Sequence, residues 1–155
     1  MNGPDIKEHL NTLRKEMMFD MLDNEDIEKI SPFFEVIVYP ANKVIFKEGD
    51  LGDFIGFVLS GKLEVKKQTE FKGNQLIIAL LSKGAMVGEL SMFDQHKRSA
   101  TVEAVEETTL MILRNEAMES LIKQHPDTGI KILKALIKIL ALRLRKATER
   151  LTTIF

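Results

Sequence analysis

The sequence predicts a mainly β domain flanked by helices, with about eight short strands arranged as a sandwich or closed roll. Three observations carry this. Between residues 33 and 114, apolar side chains alternate with period two in short runs separated by turn residues. Before residue 33, apolar positions recur at helical spacing, and after Pro126 they recur every three or four residues in a seven-residue repeat. The chain of 155 residues suits one domain, with helices over 1–32, a β-roll over 33–114 and helices over 115–155.

Composition excludes several classes. Apolar residues make up 45% and charged residues 29%, which suits a globular fold. The net charge of -1 argues against a dedicated nucleic-acid binder, whose domain is usually basic. With no Cys, disulfides, thiolate catalysis and cysteine-ligated metals are ruled out. No stretch of apolar residues is long enough to span a membrane, and the first residues lack the pattern of a secretion signal. A cytoplasmic protein is expected. His9, His96 and His125 are scattered singly, so neither a metal centre nor a haem site is expected, and no nucleophile–base set is present.

Taken in order, Ile6, Leu10, Leu13 and Met17 make a helical stripe over residues 5–18. Asp23 suits the N-cap of a second helix, with Leu22 and Ile27 as its staple, and Ser31-Pro32 stops it. Phe34 to Tyr39 alternates as a strand. Pro40 to Lys43 turns the chain, with Asn42 a candidate for left-handed backbone. Val44 to Phe46 is a strand, and residues 48–53 form a turn calling for both Gly49 and Gly52. Phe54–Leu59, Lys62–Lys67 and Gln75–Leu81 follow as strands, with a hairpin tip at Phe71-Lys72-Gly73-Asn74. Arg98–Ala104 and Thr109–Leu113 are the last two. Asn115 is expected to cap a short helix, and Pro126 to open the final one. There the repeat runs Ile130, Leu133, Ile137, Leu140, Leu144, Ala147, Leu151, Ile154, with Ile132, Leu136 and Ile139 as a second apolar flank. From Arg143 onward only the seam is apolar, so the helix is expected to leave the roll and pair with a second copy.

The chemistry gathers in residues 84–102. Gly88 and Glu89 precede a short apolar turn, and Arg98-Ser99-Ala100 follows it. Arg offers fixed donors to phosphate oxygens. Backbone N–H groups near Ser91 and Ser99 suit the same anion. Glu89 is acceptor-only and suits sugar hydroxyls. Together these fit a small sugar phosphate. Singly, Glu89 is an acid at a helix start and Arg98 a surface strand residue.

Gly88-Glu89-Leu90 … Arg98-Ser99-Ala100 resembles the phosphate-binding cassette of the cyclic-nucleotide-binding domain family, which includes catabolite activator protein and protein kinase A regulatory subunits. Tyr39–Ile45, Glu48-Gly49-Asp50 and Phe57–Gly61 resemble it too, so the likeness covers nearly the whole chain. Asn42 departs from its usual Gly, and Ala85-Met86 lacks an acid often found there. The resemblance implies a jelly-roll barrel (a double-stranded β-helix) with a long C-terminal dimerisation helix. It implies a non-enzymatic regulator that reversibly binds a cyclic mononucleotide, cAMP or cGMP, and needs no other cofactor. Arg98 would take the cyclic phosphate, Glu89 the ribose 2′-OH, and Gly88 would let the backbone approach. Val87, Leu90 and Val102 would wall the sugar and base, with Ser91, Ser99 and Ala100 completing the cradle. Thr148 resembles the base-capping position of the final helix. No helix-turn-helix follows residue 155, so no nucleic-acid contact is expected of this chain. A dimerisation module with a vestigial pocket, a different small effector, or the sensor half of a transcription regulator stay open as alternatives.

Overall fold

The computed structural model describes residues 3–16, 19–71 and 73–154. Helix α1 spans Gly3–Lys15 and α2 Asn24–Ile30, followed by a 3-10 turn at Ser31–Phe33. The strands are β1 (Phe34–Tyr39), β2 (Val44–Phe46), β3 (Phe54–Ser60), β4 (Leu63–Gln68), β5 (Gln75–Leu81) and β6 (Met86–Val87). Then come α3 (Leu90–Asp94), β7 (Thr101–Ala104), β8 (Thr108–Arg114), α4 (Asn115–Gln124) and α5 (Pro126–Ile154). Met17 and Lys72, assigned above to a helical stripe and a hairpin tip, lie outside the described residues.

The eight strands pair antiparallel in two four-stranded sheets, ordered β1-β8-β3-β6 and β2-β7-β4-β5. Side-chain alternation divides the core into two. Val58, Leu110 and Ile112 of the first sheet meet Leu63, Val102 and Ala104 of the second. On the other face of the first sheet, Ile55, Phe57, Met111 and Leu113 pack against Leu10, Leu13, Ile27, Leu121, Ile132 and Leu136 from the helices. The order is therefore helices, sheet, sheet. Covered on both faces, β3 and β8 carry continuous apolar runs, Phe54–Leu59 and Leu110–Leu113, rather than alternating. β1 also divides its apolar residues between the cores, Phe34 and Val36 to one, Ile37 and Tyr39 to the other, which leaves Val38 exposed.

Local signals mostly act as the sequence implies. Asp23 caps α2 in a reciprocal box with Asp26, and Asn42 adopts φ 69°. Three readings need correcting. Strand β7 begins at Thr101, so Arg98, Ser99 and Ala100 belong to the loop before it. Asn115 does not cap α4. Its side chain donates to the Gly52 carbonyl instead, while Arg114 holds the N-cap position without a side-chain bond. Gly52 does not have the positive φ of Gly49. Its need is space, since an added Cβ would stand 2.1 Å from Cβ of Ser91.

Helix α5 begins packed and ends open. Ile132, Ala135 and Leu136 are buried, whereas Ile137, Leu144 and Leu151 are 63%, 69% and 58% exposed. Its first turns are tied to α2 through Asp26, which is buried and accepts from Thr128 (2.8 Å) and Lys131 (2.6 Å). Burial pushes the Asp26 pKa up. Hydrogen bonds from Lys131, the Asp23 N–H and Thr128 together outweigh it and bring it from 3.8 down to about 2.

A folded-state pKa held below the unfolded one stabilises above the unfolded value and ceases to do so as pH falls through the folded one. Asp26→Asn should therefore lose on the order of 2 kcal/mol at pH 7. The deficit should shrink as pH falls from 3.8 towards about 2. Urea unfolding of both proteins across that range checks this; a pH-independent deficit would contradict it.

Candidate functional site

The loop from Gly84 to Ala100 is built to aim one guanidinium inward. Gly84 and Gly88 take positive φ on either side of β6, and Gln95 takes φ 57° where α3 ends. The Arg98 backbone is then clamped. Its N–H donates to Asp50 O (2.7 Å), and its carbonyl accepts from the Gly49 N–H (2.8 Å). Gly49 supplies the left-handed backbone that this turn requires.

The Arg98 side chain is 2% exposed. Its Nη1 donates to Gly88 O and its Nη2 to Phe54 O, both at 2.9 Å. The guanidinium carbon lies 4.0 Å from the Phe46 ring centre and 4.7 Å from that of Phe54. Burial pulls its pKa down, while Asp53, Asp50 and Glu89 pull it back. The buried Nε has no partner in the protein. Backbone must come this close for the arrangement to exist. A Cβ on Gly88 would lie 2.5 Å from Nη1 of Arg98.

Arg98 lies against a cavity of about 390 Å3, a size typical of small-molecule sites. Val87, Gly88, Glu89, Ser91, Arg98, Ser99, Ala100 and Val102 line it, so most of the expected residues come together. Ser91 is buried, and Ser99 is exposed with its carbonyl accepting from Lys67 Nζ (2.7 Å). The Leu90 side chain lies outside what is described. Thr148 does not join the site in this chain. It is exposed, bonds its hydroxyl to the Leu144 carbonyl, and is absent from the lining.

α5 contributes what sequence reading missed. Arg143 donates through Nη1 to Glu89 and through Nη2 to the Met86 carbonyl. Arg143, Lys146, Ala147 and Arg150 all line the cavity. The helix therefore does not leave the sheets at Arg143, as expected above, but supplies part of the pocket lining as far as Arg150. The available signal was a cationic stripe spaced i, i+3 and i+7 beside the heptad seam. Phe46 and Phe54 also went unassigned, because nothing in their spacing pairs them with Arg98. Among the described residues no three His, Asp or Glu side chains gather as a metal site.

Known proteins share the sequence pattern and the fold of this chain. The cyclic nucleotide-binding domain family matches residues 36–125. The cyclic AMP receptor protein of Thermus thermophilus is 36% identical over 130 residues, 84% of this chain and 58% of that protein. The chain thus spans a little over half the length of this relative. Among solved structures, a cyclic nucleotide-binding domain from Methylobacillus flagellatus superposes with a TM-score of 0.80 at 26% identity, covering 90% of this chain and 83% of that one. The Thermus thermophilus catabolite activator protein does so with 0.74 at 35% identity, covering 89% and 62%.

If Gly52 is needed for space alone, Gly52→Ala should cost about 1–3 kcal/mol by overpacking against Ser91 and Arg98. Urea denaturation measures this; a loss below 0.5 kcal/mol (roughly the scatter of neutral surface changes) would contradict it.

Proposed function

We propose that this chain, which belongs to the cyclic nucleotide-binding domain family, is a non-enzymatic sensor that reversibly binds a cyclic mononucleotide, cAMP or cGMP. The observation that carries this is the buried Arg98 guanidinium lining the cavity with one N–H unpartnered, and Glu89 in the same lining. Arg98 takes the exocyclic oxygens of the cyclic phosphate. Glu89 accepts from the ribose 2′-OH, and Gly88 lets the backbone approach the ring. Ser91, Ser99 and Ala100 complete the cradle, while Val87 and Val102 pack against the sugar and base. Regulators named for cAMP among its relatives support the ligand class.

The signal passes through α5. What supports this is the Arg143–Glu89 ion pair, which joins the final helix to the carboxylate assigned to the ribose. A nucleotide hydroxyl and Arg143 seek the same acceptor, so occupancy alters what holds α5. The exposed seam of Ile137, Leu144 and Leu151 supports a homodimer through that helix, since each such side chain gains roughly 1.5–3 kcal/mol on burial. Because the chain spans only part of its relatives, the output is assigned no further than this helix and its dimer.

Calorimetry with cAMP and cGMP tests the site. Removing one member of a desolvated charge pair costs about 2–5 kcal/mol, so Arg98→Ala should lose at least about thirtyfold in affinity and Glu89→Ala a smaller part. Unchanged binding in Arg98→Ala would contradict the assignment. Sedimentation tests the seam, with a dimer expected that Leu144→Glu converts to monomer. Amide exchange over residues 137–151 that ignores saturating nucleotide would contradict the relay.

A further inference from the structure

The short strand β2 carries an aromatic side chain that the binding reading leaves without a task. Val44 lies opposite Glu103 of β7, and two residues later Phe46 lies opposite Val102. Unbroken antiparallel pairing would set Phe46 opposite Thr101, on the same face of β7 as Glu103. The register shift between Val44 and Phe46 turns it to the other face, where Val102 belongs to the core between the sheets. Phe46 packs against that core and lines the cavity together with Arg98.

Its ring lies over the Arg98 guanidinium, with 4.0 Å between the ring centre and the guanidinium carbon. Arg98 bonds the Gly88 and Phe54 carbonyls through Nη1 and Nη2. Those two bonds hold one edge of a planar group but leave its tilt about that edge free. A ring face against the plane removes that freedom, and it attracts the cation as well. Phe54 is further away, at 4.7 Å, and is absent from the cavity lining. We infer that Phe46 is a positioning residue, turned inward by the break in the β2 register to fix the plane of the Arg98 guanidinium for the anion it takes. Nε, buried and without a protein acceptor, then keeps one direction before any ligand arrives. A donor fixed in advance binds its acceptor more tightly than one that binding must first order. This rests on the cyclic-nucleotide reading of the pocket, which assigns the phosphate to Arg98 but leaves open what orients the guanidinium.

Calorimetry with cAMP and cGMP on Phe46→Leu and Phe46→Tyr tests it, with the Arg98 Nε–H resonance followed in each protein by nuclear magnetic resonance. Leu keeps an apolar side chain but removes the ring face, whereas Tyr keeps the face. Phe46→Leu should bind about tenfold more weakly, within the scale of a desolvated cation–π contact. Phe46→Tyr should stay within about twofold of the unaltered chain, since its ring offers the same face. Without ligand, the Nε–H signal should be sharp in the unaltered chain and in Phe46→Tyr, and broadened by exchange in Phe46→Leu. Unchanged affinity in Phe46→Leu, or an equal loss in both variants, overturns the inference. If neither nucleotide binds the unaltered chain, the cyclic-nucleotide reading itself has failed. The Nε–H signal still decides the role of Phe46 in that case, because equal sharpness in all three proteins overturns it.

Discussion

A buried guanidinium sets the terms for the rest of this structure. Withdrawing a charge from water is costly unless hydrogen bonds and neighbouring charge compensate it. For Arg98 the compensation comes from the Gly88 and Phe54 carbonyls and from the faces of Phe46 and Phe54. Each requirement propagates outward. Gly88 must lack a side chain, Gly52 must make room for Ser91 and Arg98, and the Gly49–Asp50 turn must grip the Arg98 backbone on both sides. Carbonyl oxygens and ring faces offset the charge only in part, and Nε remains without a partner. That unpartnered donor is what the proposed cyclic phosphate would take.

The layered architecture explains why such a site can be coupled to something outside it. The sheet of β1, β8, β3 and β6 lies between the helices and the second sheet, and both its faces are packed. The opening turns of α5 are fastened to α2 by Asp26, Thr128 and Lys131. Later turns cross the cavity and touch the cassette through Arg143. One helix thus has a fixed start, a middle bonded to Glu89 and the Met86 carbonyl, and an exposed apolar end. Glu89 and the exposed seam are thus joined to the same helix, which is the basis of the relay proposed above.

The parts legible in the sequence are those whose partners are close along it. Gly88, Glu89 and Arg98 fall within one loop, and their types alone suggest an anion with hydroxyls. The Asp23 cap, the left-handed Asn42 and the opening Pro126 are local in the same way. What escaped is long-range or steric. Arg143 meets Glu89 from 54 residues away, and the heptad of α5 masked the cationic stripe beside it. Gly52 looked like a turn glycine, although its task is to leave space for a side chain on α3. Asn115 had every mark of a helix cap, but the Gly52 carbonyl offered its amide a tertiary partner instead. The limits of β7 differ because Arg98 belongs to the loop before it, where its contacts with Gly88, Phe54 and the Gly49–Asp50 turn hold it.

The most direct measurement is a crystal structure of the chain grown with saturating cyclic nucleotide. The account predicts the exocyclic phosphate oxygens within hydrogen-bond distance of the Arg98 guanidinium and the ribose 2′-OH against Glu89. Density for the nucleotide elsewhere, or a cavity in which Arg98 keeps only the Gly88 and Phe54 carbonyls, would contradict it.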